Sequence, residues 1–396
     1  MSEFTIETQS EFIINKAEIS SDRLSVLIDM RNLITDMVLY EHIEKPYVTA
    51  RISFVDESNL VQGIDFQGGE KLTLELIHGE ARNSGFSIKK EFVIDQIEGI
   101  VRSGERGEVV LINCTEYHML ESTVQNVNKA YTGAPSKIIS SILTSFLKKS
   151  VAVTDQDSIT DMKVIVPNMH PIEACLWLRS RMSSIDGMPY YLFSTMALDN
   201  LVLKSLGTIL DEKVPINVDM PYVYAPSVNS DADAMRKFYA IQEFSYKDGE
   251  NLVKLIEDGL VGAQYSFLDT LTGLPQVSHF DVELDVFRGL ARDNRLGGSN
   301  KRHVYGTEYA VQGDLLTKYN SKVKTEISSN GAYIQGRTRN NSYASETDSF
   351  AHKRKVISKS LKNFLGKSPL EITVKSREFL TGDANYTLGK LIRIIF

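Results

Sequence analysis

The stretch GEKLTLEL, residues 69 to 76, shows the pattern that decides the fold. A glycine precedes a run in which Leu72, Leu74 and Leu76 alternate with polar residues. Apolar residues at a period of two are typical of a β-strand with one buried face. The closing stretch GKLIRIIF, residues 389 to 396, has the same spacing after its glycine. The two stretches together predict that one β-domain occurs twice in the chain.

Alternating strands also dominate the chain around the first stretch. Turn-rich segments such as SGERG, residues 103 to 107, separate them. The predicted strands are Asp22–Asp29, Tyr47–Phe54, Glu91–Ile97 and Glu108–Cys114. Short strands with turn signals between them predict a small antiparallel barrel or sandwich over residues 1–118.

A helical pattern begins after residue 119. Apolar residues fall on one face of a helix over 134–147, where Pro135 lies in the first turn. A second helix is predicted from Pro171, and a hairpin follows over residues 189–205. Residues 119–210 are therefore predicted to form a compact α/β domain.

The last part of the chain mixes strands with long loops. Strands are predicted at Phe238–Phe244 and Leu370–Val374, and a helix from Ser345. Between them lies a stretch rich in glycine and asparagine, with short strands at Gly262–Leu268, Val304–Val311 and Ala332–Gly336. We interpret 211–254 and 341–396 as one β-domain and 255–340 as a loop-rich insertion in it.

Composition limits the possible functions. The 396 residues carry a net charge of −7, which argues against nucleic acid as a tightly held ligand. Two cysteines give no disulfide framework. The N-terminus lacks the features of a signal peptide, and no apolar run is long enough to span a membrane. These observations favour synthesis in a reducing cytoplasm without a membrane anchor.

No motif for catalysis or for a cofactor emerges. The Gly-Lys-Ser of residues 366 to 368 lacks the first glycine of a phosphate-binding loop, because position 361 is leucine. The pairs Cys114 with His118 and His170 with Cys175 lack the spacing of a structural zinc site. The sequence therefore predicts no catalytic residue, no cofactor and no metal, which favours a structural role.

A resemblance to a known family rests on residues 34 to 76. A Tyr-Glu pair (Tyr40, Glu41) precedes Pro46, a strand ends in Asp56, and a Gly-Glu turn (Gly69, Glu70) starts the next strand. This order resembles the first β-barrel of the central baseplate hub proteins of contractile-tailed phages. The spike proteins of type VI secretion systems have a similar N-terminal barrel. The segments 170–205 and 384–396 are similar to later parts of the same family, with Gly389 at the start of the closing strand.

The resemblance implies an α+β, β-rich fold. Two tandem antiparallel barrels like those of a tail tube would occupy 1–118 and 211–254 with 341–396. The α/β domain over 119–210 would lie between them, and the second barrel would carry the insertion 255–340. The residues of the motif are expected to have structural or interface roles.

The function implied by the resemblance is structural. Three copies would form a ring in which six barrels adapt the six-fold tail tube to a three-fold spike, inside the baseplate of the virion tail. The expected partners are a tail tube or tube-initiator protein, a spike protein and the surrounding wedge proteins. DNA would pass through the channel without specific binding. The alternative is a tail-associated peptidoglycan hydrolase.

One mismatch remains in this interpretation. Two further strands follow Leu76 in the first barrel, but nothing follows Phe396 in the second. A neighbouring subunit supplies those strands, or the second barrel has a different chain order, or the sequence continues in the gene. The sequence does not distinguish these three explanations.

Overall fold

The computed structural model describes residues 12–23, 27–57, 60–64, 66, 68–78, 87–103, 107–153, 162–184, 187–210, 217, 219–224, 239–246, 252–268, 275–287, 310–311, 314–315, 321–327, 346–365, 370–374 and 378–396. The helices are α1 Leu60–Ile64, α2 Tyr117–Thr123, α3 Pro135–Leu147, α4 Pro171–Arg179, α5 Leu206–Leu210, α6 Leu252–Glu257 and α7 Glu346–Leu365. A π-helical turn spans Glu283–Phe287 and a 3-10 turn spans Glu378–Leu380.

The strands of the first half are β1 Phe12–Ser20, β2 Ile28–Asp29, β3 Ile34–Tyr40, β4 Thr49–Asp56, β5 Lys71–His78, β6 Ile88–Ser103, β7 Gly107–Glu116, β8 Val127–Gly133, β9 Val151–Val153, β10 Met162–Met169, β11 Tyr190–Phe193 and β12 Leu201–Ser205. Those of the second half are β13 Tyr222–Tyr224, β14 Ala240–Tyr246, β15 Gly262–Leu268, β16 Pro275–Asp281, β17 Ala310–Val311, β18 Asp314–Leu315, β19 Ser321–Ile327, β20 Leu370–Val374 and β21 Ile394–Ile395.

The first sheet is a curled, seven-stranded antiparallel sheet with the order β2-β1-β5-β6-β7-β4-β3. Its two edge strands follow each other in the chain. Between them, Met30 N donates to Ala17 O at 2.7 Å, and Leu33 O accepts from Val55 N at 3.0 Å. Residues 30–33 therefore connect the two edge strands, β2 and β3, and are hydrogen-bonded to β1 at one end and to β4 at the other. This agrees with the predicted β-rich first part, although in the predicted strand Asp22–Asp29 only the last two residues form a described strand.

The central region follows the sequence prediction closely. Helix α3 begins at Pro135 and buries Ile138, Ile139, Ile142 and Leu143. Helix α4 packs into the same core, as do β11 and β12, which form the predicted antiparallel hairpin. The helical and hairpin predictions for this region are confirmed.

A third core joins parts of the chain that are distant in sequence. Strands β15, β16 and β19 form a three-stranded sheet that begins inside the predicted insertion. Val261 and Tyr265 from this region pack with Tyr191 and Phe193 of β11 and with Leu361 of α7. The strand predicted at Gly262–Leu268 is confirmed, that at Val304–Val311 is described only for its last two residues, and that at Ala332–Gly336 lies outside the described residues.

The terminal sheet has four strands in the order β20-β14-β13-β21. Strand β20 matches its prediction. Of the strand predicted after Gly389, only Ile394–Ile395 form a strand, β21, and residues 390–393 do not. Gly389 has a φ of +81°, which a glycine before a strand permits. The Asn217 side chain accepts from Arg393 N at 2.7 Å and donates to Arg393 O at 2.9 Å, and Tyr222 N of β13 also donates to Arg393 O at 3.0 Å. A second barrel built around this sheet stays a prediction.

Candidate interaction sites at the central junction and on the terminal sheet

The segment 194–198, which follows β11, packs against the first sheet. Met196 is buried in the core of that sheet, and its backbone N–H donates to the carboxylate of Glu41. We call residues 194–198 the plug loop. It connects the central region to the first sheet through polar and apolar contacts.

A buried ion pair lies under the plug loop. Lys90 Nζ lies 3.0 Å from Glu116 Oε1 and 2.9 Å from the carbonyl oxygen of Leu198. The Ser194 hydroxyl donates to Glu116 Oε2 at 2.7 Å, and Val48 N donates to the same oxygen at 3.0 Å. Lys90 and Glu116 are each only 3% exposed. Burial of both charges is tolerable because each charge has a partner and further hydrogen bonds.

His118 extends this network to the sequence motif. Its Nε2 donates to the carbonyl oxygen of Pro46 at 2.7 Å, and its Nδ1 faces Glu116 Oε1 at 3.6 Å, beyond hydrogen-bond distance. Among the described groups Nδ1 has no hydrogen-bond partner. The ring is thus best described as the neutral tautomer with its proton on Nε2.

The pKa values of these groups follow from burial and from their neighbours. Burial lowers the pKa of His118, and the nearby Glu116 carboxylate only partly opposes this. For Glu116, burial acts to raise the pKa. The positive charge of His118 when its ring is protonated, the charge of Lys90 and two hydrogen bonds outweigh burial, so the pKa is lowered overall. Burial raises the pKa of Glu41 against the opposing effects of the Met196 N–H and Lys90.

The other motif residues lie at separate places on the first sheet. Asp56 is buried and accepts hydrogen bonds from Leu60 N at 2.8 Å and Val61 N at 2.9 Å, so it caps the first turn of α1. Glu70 is buried and paired with Arg23 at 2.5 Å. Gly69 has a φ of +91° and donates to Ile94 O at 3.0 Å. Tyr40 lies at the end of the edge strand β3 and is exposed.

The C-terminal segment contacts all three parts of the structure. A Cβ at Gly382 would lie 2.7 Å from the backbone of Ser87, next to β6 of the first sheet. A Cβ at Gly389 would lie 2.8 Å from the ring of Phe193 in the central hairpin. Between them, Thr387 is buried beside the carboxylate of Glu41. Residues 382–395 therefore connect the first sheet and the central region to the terminal sheet.

An aromatic face covers one side of the terminal sheet. Tyr224 and Phe244 meet edge to face at 4.8 Å between ring centroids, and Phe244 and Phe396 at 5.2 Å. Tyr246 shares this face, because it lies two residues after Phe244 on the same strand. Leu370, which pairs with Tyr246 across the ladder, adds to it. We call these five residues the aromatic face.

The aromatic face is large for a surface feature. The exposures of its aromatic residues are 39% for Tyr224, 37% for Phe244, 62% for Tyr246 and 66% for Phe396. Because a fully buried aromatic side chain covers about 150–250 Å², the four expose roughly 300–500 Å² together. Contiguous apolar patches of that size mark interaction sites on many proteins.

The described residues contain few candidates for chemistry. No group of three or more His, Cys, Asp or Glu side chains among them could hold a metal ion. Cys114 and Cys175 are free and buried, and burial raises the pKa of Cys114 to about 12. None of the described helices is long and apolar enough to cross a membrane.

The alternation of the sequence carries a signal for the buried ion pair. Lys90 lies in the core-facing series of β6, between the buried residues Ile88 and Phe92. Glu116 continues the core-facing series of β7 after Cys114. A charged residue at an inward position of an alternating strand predicts a buried partner of opposite charge.

No protein-family model matches the sequence, and no curated protein matches it either. Among solved structures, the chain is similar to the 43 kDa tail protein of prophage MuSo2 from Shewanella oneidensis, at 10% identity over 96% of this chain and 88% of that one, with a TM-score of 0.49. It is also similar to the prophage tail protein gp18 from Listeria monocytogenes, at 11% identity over 68% of each chain, with a TM-score of 0.36.

A third solved structure is a component of the type VI secretion system of Escherichia coli, described as similar to the T4 bacteriophage tail proteins gp27 and gp5. It matches at 12% identity over 48% of each chain, with a TM-score of 0.30. The structural neighbours of this chain are thus phage tail proteins and type VI secretion proteins, the two groups that the sequence resembles.

Proposed function

We propose that this protein is a structural subunit of the baseplate hub of a contractile phage tail. Three copies form a closed ring that joins the tail tube to a cell-puncturing spike and surrounds the channel through which DNA passes without specific binding. Its neighbours in the virion are a tube or tube-initiator protein, a spike protein and the wedge proteins. The chain has no catalytic role and no cofactor in this proposal.

The aromatic face is the observation that carries the proposal. A single chain in water gains nothing from exposing four aromatic side chains, whereas burial of roughly 300–500 Å² against another subunit contributes favourable free energy at about 25 cal/mol per Å². The face lies on a sheet whose strands come from residues 222–246 and 370–395, the part that the sequence assigns to the second barrel. Assembly through this face fits a structural role.

The first sheet offers a second surface for assembly. Its edge strand β3 pairs only with β4 among the described strands, and Val38 and Tyr40 are exposed on it. An unpaired strand edge is a template for association with another chain. When two different surfaces of one chain meet head to tail, the copies close into a ring if the rotation permits. Two distinct surfaces therefore support a ring better than a simple two-fold dimer.

The test compares the wild-type chain with a variant of the aromatic face. Phe244→Ser combined with Tyr246→Ser is expected to reduce self-association strongly, measured by light scattering over a concentration series. The control, Glu243→Gln with Ser245→Ala, changes exposed residues on the opposite side of the same strand and is expected to associate like the wild type. Equal association of all three proteins would count against the proposal.

The same proteins test the alternative function. Release of soluble fragments from purified peptidoglycan by the wild-type chain would support a hydrolase and contradict a purely structural subunit. We expect no release above that from a buffer blank.

A further inference from the structure

A polar cleft of about 390 Å³ lies on the outer side of the first sheet. Strands β3, β4, β6 and β7 all contribute to it, and its lining residues include Tyr40, Arg51, Asp95, Glu98, Asn113 and Thr115. The register of β6 against β7 shifts twice near this place, between Ile94 and Gln96 and between Ile97 and Gly99. Such bulges bend the strand and make the outer surface of the sheet concave.

The charges in the cleft are not balanced within the described chain. Arg51 Nη2 pairs with Glu98 Oε1 at 2.9 Å, so these two charges neutralise each other. The carboxylate of Asp95 accepts a hydrogen bond from the Thr115 hydroxyl, and no described cation pairs with it. The walls of the cleft keep part of the water from this carboxylate, and this desolvation raises its pKa. An unpaired carboxylate in such a place favours a cationic ligand.

The remaining lining residues select the kind of cation. The Tyr40 ring is 40% exposed at the wall of the cleft, and aromatic faces attract guanidinium groups more often than ammonium groups. The side chains of Asn113 and Thr49 offer oxygen acceptors beside the carboxylate. The guanidinium group of arginine is planar and carries five N–H donors. It can therefore stack on the ring, pair with the carboxylate and donate to the oxygen acceptors at the same time.

The cleft lies beside the edge strand β3, and this position favours an arginine from a neighbouring chain. Tyr40 ends β3, the edge strand on which the first sheet presents an open side to a neighbour. We propose that the cleft receives an arginine side chain from a neighbouring copy of this chain, held between Asp95 and Tyr40. This inference rests on the proposed ring, because only an assembled neighbour brings a side chain to this edge.

Asp95→Asn in the full chain is the decisive variant, since it removes the charge while asparagine keeps an oxygen for Thr115. We expect the dissociation constant of self-association to rise roughly tenfold, as for a partly exposed charge pair between subunits. We also expect the thermal midpoint of the dissociated chain to stay the same or to rise, because the lost charge has no cation within its own chain. Glu173→Gln, an exposed carboxylate in the first turn of α4, is the matched control. It is expected to leave self-association unchanged and to lower the thermal midpoint only slightly, through the lost charge at the helix N-terminus.

The result that overturns the inference is wild-type association by the Asp95→Asn chain. A fall in its thermal midpoint that accounts for the weaker association also overturns it, because Asp95 then has a purely structural role. If the wild-type chain is monomeric at every concentration, the proposed ring fails, and calorimetry with agmatine, a small guanidinium compound, decides on the cleft. Binding by the wild type and not by Asp95→Asn supports a guanidinium site that takes a free ligand; no binding by either overturns it.

Discussion

Replacing Lys90 by methionine tests whether the buried ion pair fastens the plug loop to the first sheet. Methionine matches the apolar part of the lysine side chain as far as Cε but lacks the ammonium group, which contacts Glu116 Oε1 at 3.0 Å and Leu198 O at 2.9 Å. The Glu116 carboxylate, 3% exposed, then keeps its hydrogen bonds but has lost the Lys90 charge. Removing one partner of a buried pair costs about 3–5 kcal/mol.

The assay is thermal unfolding at pH 7, with Lys89→Met as the matched control. Lys89 is the adjacent lysine, and its pair with Glu75 at 2.9 Å is exposed on the lysine side, so its loss costs about 0–1 kcal/mol. For a cooperative unit of 150–250 residues, each kcal/mol shifts the midpoint by about 2–4 °C. Lys90→Met is therefore expected to lower the midpoint by roughly 6–20 °C, and Lys89→Met by no more than about 4 °C.

The pH dependence adds an internal check on the cause. Lys90 helps to lower the pKa of Glu116, so its removal raises that pKa. A protonated, neutral Glu116 gains no stabilisation from the Lys90 charge. The difference in unfolding midpoint between Lys90→Met and the wild type should therefore shrink as the pH falls towards the ordinary glutamate pKa of 4.5. Equal midpoints for the two lysine variants at pH 7, or a gap that widens on acidification, would refute the reasoning.

Further predictions concern histidine, glycine and a helix cap. Burial lowers the pKa of His118, so the folded chain should lose stability as the pH falls below the ordinary value of 6.5, and His118→Gln should flatten the midpoint between pH 7.5 and 5.5. Gly389→Ala should lower the midpoint, because its φ is +81° and a Cβ would lie 2.8 Å from Phe193, whereas Gly63→Ala, with open space in a helix, should raise it slightly. Asp56→Ala should cost about 1 kcal/mol in denaturant unfolding through loss of the α1 cap; no change would contradict that role.

Local patterns predicted the elements well where one face of the element is buried. The alternation in residues 69–76 matches β5, and the helical spacing after Pro135 matches α3, because burial of one face imposes its period directly on the sequence. The same reasoning failed for residues 390–393. The backbone conformation of this segment depends on contacts with Phe193 and Asn217, which are far away in the sequence.

Local patterns could not predict the contacts between the plug loop and the first sheet. Glu116 and Ser194 are 78 residues apart, and Glu41 and Met196 are 155 apart. The spacing of apolar residues in a strand indicates which residues point into the core. It does not indicate which distant segment of the chain those residues contact. The aromatic face was hidden for a related reason, since Tyr224, Phe244 and Phe396 come from three separate strands or chain ends.

The mass of the full-length chain in solution, measured by light scattering over a wide range of concentrations, tests the central claim most directly. A closed ring of three copies predicts a plateau at three times 44.5 kDa, with dissociation only on dilution. A mass of 44.5 kDa at every concentration would contradict the account, because the aromatic face would then remain exposed to water in the isolated protein.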